Sequence, residues 1–207
     1  MDIGRIRSIF AVSFFIAMFL FCTAIFAMDL PVAFQDEKTG LHGFKNRNGE
    51  EVIPCKYVVA YQFNEFGVAA VFFEGKWLYI DQDGDPVVES YMFDNGPDYH
   101  VEGLARYVSR GKIGFINEAA EIIIPAQFEF AFPFSDGMAL FCEGCKKMKT
   151  GEHTAVVGGK WGYVNKKGEI AVSAMYDGAY SFSDGRAVVT LGDASFYIDK
   201  KGKRLEE

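Results

Sequence analysis

The sequence predicts an all-β protein built from stacked repeats of about 35 residues. Three observations carry this prediction. Gly (22) and Phe (21) are abundant while Pro is scarce (6), a mixture of turns and aromatics that suits strands better than a helical bundle. Apolar and polar or small residues alternate over short runs, the period of a half-buried strand. One short pattern also returns along the chain at near-constant spacing, which outranks any single motif. The chain has 207 residues, half of them hydrophobic, enough for a packed core and incompatible with wholesale disorder. A net charge of −7 argues against a nucleic-acid partner, because phosphate binding needs a basic surface.

The first element is a targeting segment. Arg5 and Arg7 precede an uncharged apolar run from Ile9 to Ala27, and polarity returns at Asp29. A basic start, an apolar middle and a small-residue end form the layout of a secretory signal. The same run is nearly long enough to span a bilayer, so an uncleaved anchor is the alternative. The expected organisation is residues 1–27 as signal peptide or N-terminal membrane anchor, 28–40 as lead-in, and 41–207 as the repeat domain, with an insertion at about 141–158. Membrane contact is expected only if the N-terminal segment is retained.

The repeat is clearest at Gly159-Lys160-Trp161-Gly162-Tyr163-Val164-Asn165-Lys166-Lys167-Gly168. It recurs at Gly75-Lys76-Trp77-Leu78-Tyr79-Ile80-Asp81 and at Gly111-Lys112-Ile113-Gly114-Phe115-Ile116-Asn117, with degenerate copies at Gly43-Phe44 and Phe196-Tyr197. Phe44, Tyr79, Phe115, Tyr163 and Tyr197 are the anchoring aromatics. With Trp77 and Trp161 they are the expected core of the units. Each unit reads as three short strands. The first turn opens with Asn or Asp and ends in Gly at 49, 84, 168 and 202, where a positive φ is needed. Ala120 stands at that point in the third unit, so its turn must be strained or built differently. No unit can bury its aromatic face alone, so neighbours must stack. The expected product is one elongated or curved domain; a closed, propeller-like arrangement is the alternative.

The units, completed by Phe134-Ser135-Asp136-Gly137-Met138-Ala139 and Phe182-Ser183-Asp184-Gly185-Arg186-Ala187, resemble the WG-repeat (KWG-repeat) family over nearly all of residues 41–205. In three units the Trp is replaced by His42, Ile113 or Ser195, and in two the Gly by Leu78 or Phe196. The resemblance implies a β-rich repeat protein and carries no catalytic residues with it.

Chemistry could reside in Cys142-Glu143-Gly144-Cys145 and His153, all inside the insertion. A C-x-x-C pair can be a structural disulfide, a redox dithiol or half a metal site. In an exported protein a Cys142–Cys145 disulfide is expected. A metal site would take Cys142, Cys145 and His153 and still lack a fourth ligand. Cys55 aligns with Ser90, Ala126 and Ala174, which points to a tight slot holding a buried thiol. Asp81, Asp83 and Asp85 resemble a calcium loop, but sister turns carry Lys there, so a solvated turn is expected.

No nucleophile–base grouping emerges. The expected function is therefore an exported, secreted or periplasmic, non-enzymatic binding or scaffold module without a cofactor. Its partner would be a protein or a cell-envelope component. The alternatives are a thiol-redox or metal-handling protein using the insertion, and a carbohydrate or cell-wall binder using exposed aromatics.

Overall fold

Short amphipathic runs separated by Asx-type turns fold here into antiparallel meanders, each handing its last strand to the next. The computed structural model describes residues 29–206 except 151 and 152. The expected signal or anchor, residues 1–27, lies outside the described residues. The first unit contains β1 (Val32–Gln35), β2 (His42–Lys45) and β3 (Glu51–Tyr57). After one residue the chain continues as β4 (Val59–Ala60), which pairs with the next unit. The second unit is β5 (Ala69–Phe73), β6 (Lys76–Ile80) and β7 (Pro86–Ser90), followed by a small hairpin of β8 (Met92–Phe93) and β9 (Gly96–Pro97). The third is β10 (Ala105–Ser109), β11 (Lys112–Ile116) and β12 (Ile122–Phe128), crossing over through β13 (Phe130–Ser135). The fourth is β14 (Met138–Thr150), β15 (His153–Asn165) and β16 (Ile170–Tyr176), crossing over through β17 (Gly178–Ala179). β18 (Arg186–Leu191) and β19 (Ala194–Asp199) form the fifth.

Period-two alternation lets each middle strand bury both faces. Phe44 packs forward on Ala69, Val71 and Ile80 of the second unit. Tyr79 packs forward on Ala105 and Ile116, Phe115 on Ala139, Phe141 and Val164, and Tyr163 on Ala187, Val189 and Ile198. Four core clusters thus lie between five units, one per junction. The protein is all-β, a stack of β repeats whose sheets do not close into a barrel. Its two ends explain why it is not a ring. At the first unit Lys45 replaces the Ile or Val that faces backward elsewhere, and its ammonium lies over Phe34 at 3.9 Å. At the last, Tyr197 remains 39 % exposed, with no described unit over it. Closure would bury both faces.

The glycine after the tryptophan has a steric cause. Between Trp161 and Tyr163 the register on β16 runs from Tyr176 to Val172, so the partner strand bulges toward Gly162. A Cβ there would meet Val172 O at 2.5 Å and Ala174 N at 2.7 Å. The same bulge closes on Gly43 and Gly114. It also explains the small residues at 55, 126 and 174: Cys55 Sγ would lie 3.0 Å from a Cβ on Gly43. Cys55 sits in this slot half-buried rather than fully buried. In the second unit Leu78 replaces the glycine and the large bulge is absent; Leu78 pairs with Glu89 and Tyr79 with Val88 in unbroken register. There β7 runs on to pair with β10, and a seven-stranded sheet joins units two and three.

The turns repeat one design. Asn46, Asp81, Asn117, Asn165 and Asp199 each accept two backbone N–H groups through Oδ1. The third-unit turn is built like the others, with Ala120 at φ 58°. Its left-handed backbone costs about 1–2 kcal/mol relative to the right-handed region, and its methyl is buried in the second junction. Carboxylates link successive units: Glu102 accepts from Gly137 N–H and pairs with Lys166, and Asp136 accepts from Gly185 N–H and pairs with Lys200.

Candidate functional site

Along one side of the stack, residues in or just after a crossing strand reach the tryptophan of the next unit. Tyr61 stacks on Trp77 with centroids 5.4 Å apart and planes at 12°. Phe132 lies against Trp161 at 6.0 Å and 37°, and Phe130 meets both rings edge-on. Tyr180 holds the corresponding place at the last junction, but the fifth unit carries Ser195 where the tryptophan would be. Tyr180 is accordingly 71 % exposed.

The two tryptophans differ in their cover. Trp77 is 3 % exposed, and its Nε1–H donates to Asn95 O at 2.9 Å, in the turn of the β8–β9 hairpin. Trp161 is half-buried and lines a cavity of about 540 Å³ with Phe130, Phe132, Val156, Ala179 and Tyr180. Phe130, Phe132 and Val156 also wall a neighbouring cavity of about 420 Å³, completed by Tyr91, Phe93, Arg106 and Lys147. Together the two form an aromatic groove with the inserted hairpin as one wall. The solvent-exposed rings there include Phe93 and Phe132. An uncovered aromatic surface of this kind marks an interaction site.

Beneath the second cavity lies a buried ion pair. Arg106 donates from Nε and Nη2 to both carboxylate oxygens of Asp98, at 2.8 and 2.7 Å, and from Nη1 to Ala131 O. The backbone N–H of Arg106 also donates to Asp98. Its guanidinium lies 4.2 Å from the Tyr91 ring centroid. With these donors engaged, Arg106 holds the groove floor rather than offering charge to it. Lys147, exposed on β14, lies over the same Tyr91 ring at 5.4 Å.

The C-x-x-C segment sits where the inserted hairpin leaves the body. In a regular strand Cys142 and Cys145 would face opposite sides. Gly144, opposed by Gly158 and Gly159, takes a positive φ, and both cysteines enter the same core cluster. A Cβ on Gly159 would lie 2.7 Å from Cys142 Sγ, so the sulfur is seated against the bare glycine. Burial, and then the neighbouring Cys145 thiol, pushes the Cys142 thiol up to about 12. Both residues, like Cys55, are free thiols in the structure, and the expected Cys142–Cys145 bridge is not formed there. His153 pairs with Thr150 at the far end of the hairpin, whereas Cys145 pairs with Gly158. Five residues of strand place His153 about 16 Å from that level, so the three expected ligands do not converge. Among the described residues no group of three or more His, Cys, Asp or Glu side chains could hold a metal.

The remaining candidates serve structure. Asp81 closes its own turn. His42 bonds Val58 O and His100 bonds Asn117 O. Lys200 is engaged by Asp136, and Arg204 lies over Phe196. The sequence reading missed the groove because Tyr91, Phe93 and Phe132 fall between repeat motifs. The available signal was the clustering of aromatics at 91–93 and 128–134, outside the anchor positions.

A sequence signature described as WG containing repeat matches residues 43–77, 113–146 and 161–193. No curated protein matches the chain.

Proposed function

The chain belongs to the WG-repeat family, and from that premise we propose that it is an exported, non-enzymatic binding module whose ligand seat is the groove between Tyr91 and Tyr180. The observation that carries this reading is the pair of tryptophans: the same repeat position is sealed at Trp77 and left accessible at Trp161, among exposed rings. A repeat stack supplies such grooves without catalytic groups. Export to the secreted or periplasmic space rests on the Arg5, Arg7 and Ile9–Ala27 layout. In that compartment Cys142 and Cys145, already on one side of the strand, close to a disulfide by exchange with a protein or small-molecule disulfide.

The test compares wild type with a Phe132→Ala/Trp161→Ala variant, each immobilised and exposed to a cell-envelope extract. A component retained by wild type and lost by the variant is the expected result. Identical retention by both would move the binding surface elsewhere. The thiol-redox reading has one observation in its favour, the shared seat of the two sulfurs. It requires Cys142→Ser/Cys145→Ser to abolish a dithiol oxidoreductase activity toward a model disulfide. The binding-module reading expects no such activity in wild type.

A further inference from the structure

We propose that the Trp161 end of the groove receives a turn-forming, acidic and apolar peptide segment of a partner protein, held by a backbone carbonyl at Trp161 Nε1–H and by carboxylate pairing with Lys147. This rests on the binding-module reading and names its ligand class. The protein carries its own occupied example. Over Trp77 lies the hairpin Met92–Pro97, which places Met92 beside the indole and accepts its N–H at Asn95 O. Asp94 lies within that segment, and Asp98 directly follows it. Trp161 stands at the equivalent repeat position and has no such cover among the described residues. Among the described residues its Nε1–H has no acceptor. What is missing at Trp161 is what Met92–Pro97 provides at Trp77: a tight turn that presents a backbone carbonyl to the indole, with apolar Met92 beside it.

The charge has a direction too. Lys146, Lys147 and Lys149 are exposed on β14 and none pairs with a carboxylate among the described residues, whereas Arg106 is consumed by Asp98. A basic edge on a chain of net charge −7 selects an acidic segment and repels basic ones. A sugar is the weaker candidate. At the Trp161 end the side-chain hydroxyls are those of Tyr180 and Thr190, and Thr190 Oγ1 is already bonded to Ser195 Oγ at 3.0 Å. An apolar lining with so few polar partners suits side chains better than a polyhydroxylated ring.

Random dodecapeptides displayed against the full protein test the idea. Selected sequences should combine Asp or Glu with Met, Phe or Leu. The best of them, made as a free peptide, should change Trp161 fluorescence. Trp161→Phe, which keeps a ring and deletes the N–H, should weaken that peptide roughly ten-fold. Lys147→Glu should weaken it by a similar factor, and added salt should weaken wild-type binding. Tyr180→Ala, at an exposed ring that carries no core, should lose affinity without lowering the melting temperature. Tyr61→Ala, on the far side of Trp77, should leave affinity unchanged. Selected peptides lacking acids, or binding indifferent to Trp161→Phe and Lys147→Glu, would overturn the proposal. Trp161-dependent binding of an oligosaccharide panel in place of peptides would overturn the ligand class and leave the groove standing. No Trp161-dependent binding of either kind would remove both readings.

Discussion

The junction between units two and three and the junction between units three and four are made from the same repeat and solve the same packing problem differently. At the later junction Phe115 meets Phe134 with centroids 4.8 Å apart, within an apolar cluster that the Arg106 guanidinium borders. The first and last junctions use the same arrangement, Phe44 with Phe63 and Tyr163 with Phe182. At the second junction Tyr79 instead faces His100 at 6.2 Å. Arg106, which takes the place of Ala70, Leu140 and Val188, faces the third junction, where it donates to Ala131 O and lies over Tyr91. Its charge is answered by Asp98. Leu78 replaces the bulge glycine of the second unit and packs toward the first junction, and the β8–β9 hairpin seals Trp77. The second junction is closed over Trp77; the third is bulged, carries the Arg106–Asp98 pair beside its apolar cluster, and is open beside Trp161. A repeat can therefore lose its glycine where the partner strand runs straight, and its tryptophan becomes a surface feature only where nothing covers it.

The sharpest break in this comparison is Asp98→Ala, which strands the Arg106 guanidinium in the interior. It should cost about 4 kcal/mol in denaturant melts. An Arg106→Met/Asp98→Leu double substitution should recover most of the loss and would show that the pair is a replaceable packing solution. Recovery of nothing would mean that the four hydrogen bonds specify the junction.

Next in size is the contrast between the tryptophans. Trp77→Ala should cost about 3 kcal/mol and Trp161→Ala about 1 kcal/mol, since only the first is enclosed. Equal losses in the two melts would contradict the description of Trp161 as accessible.

Gly114→Ala should cost about 2 kcal/mol, because its Cβ would sit 2.4 Å from Ile124 O and 2.6 Å from Ala126 N. Leu78→Gly restores the family residue where no large bulge waits to use it, so it should destabilise by removing packed side chain. A gain in stability there would break the steric account.

Acid should weaken the links between units. Burial works against ionisation of Glu102, but Lys166 and the N–H groups of Gly137 and Asp136 outweigh it and hold its carboxyl below the usual value. The Lys200 ammonium and the Gly185 N–H do the same for Asp136. A depressed folded-state pKa gives stability that is complete above the unfolded value, about 4 for these side chains, and lost as pH falls through the folded one. A Glu102→Gln/Asp136→Asn variant should therefore show a flatter fall in melting temperature below about pH 4 than wild type.

The smallest effect should be Ala120→Gly, within about 1 kcal/mol either way. It relieves a left-handed alanine and empties a buried methyl site.

The repeat and its register were legible because stacking imposes one fixed chemical demand on each unit. Phe44, Tyr79, Phe115 and Tyr163 must face forward while Ile80, Ile116, Val164 and Ile198 face back, and strand alternation writes that demand into the chain. The Asx turns were legible for the same local reason. The site was legible only in part. Cys142 and Cys145 stood out, but period-two reasoning would separate them, and only the left-handed Gly144 brings them to one side. His153 stood near them in sequence and lies at the other end of the hairpin, because a hairpin converts short sequence distance into length along a strand.

By itself, then, the sequence determined an all-β repeat stack, its anchor residues and its turns, since each follows from local alternation and a recurring period. Tertiary structure alone decided the rest. Stacked units have two ends that differ, so Tyr197 lies exposed although its four counterparts are buried. Cover comes from segments outside the period, so Met92–Pro97 seals Trp77 and nothing among the described residues seals Trp161. Whether a repeated aromatic is core or surface depends on what the rest of the chain lays over it, and that contact is non-local.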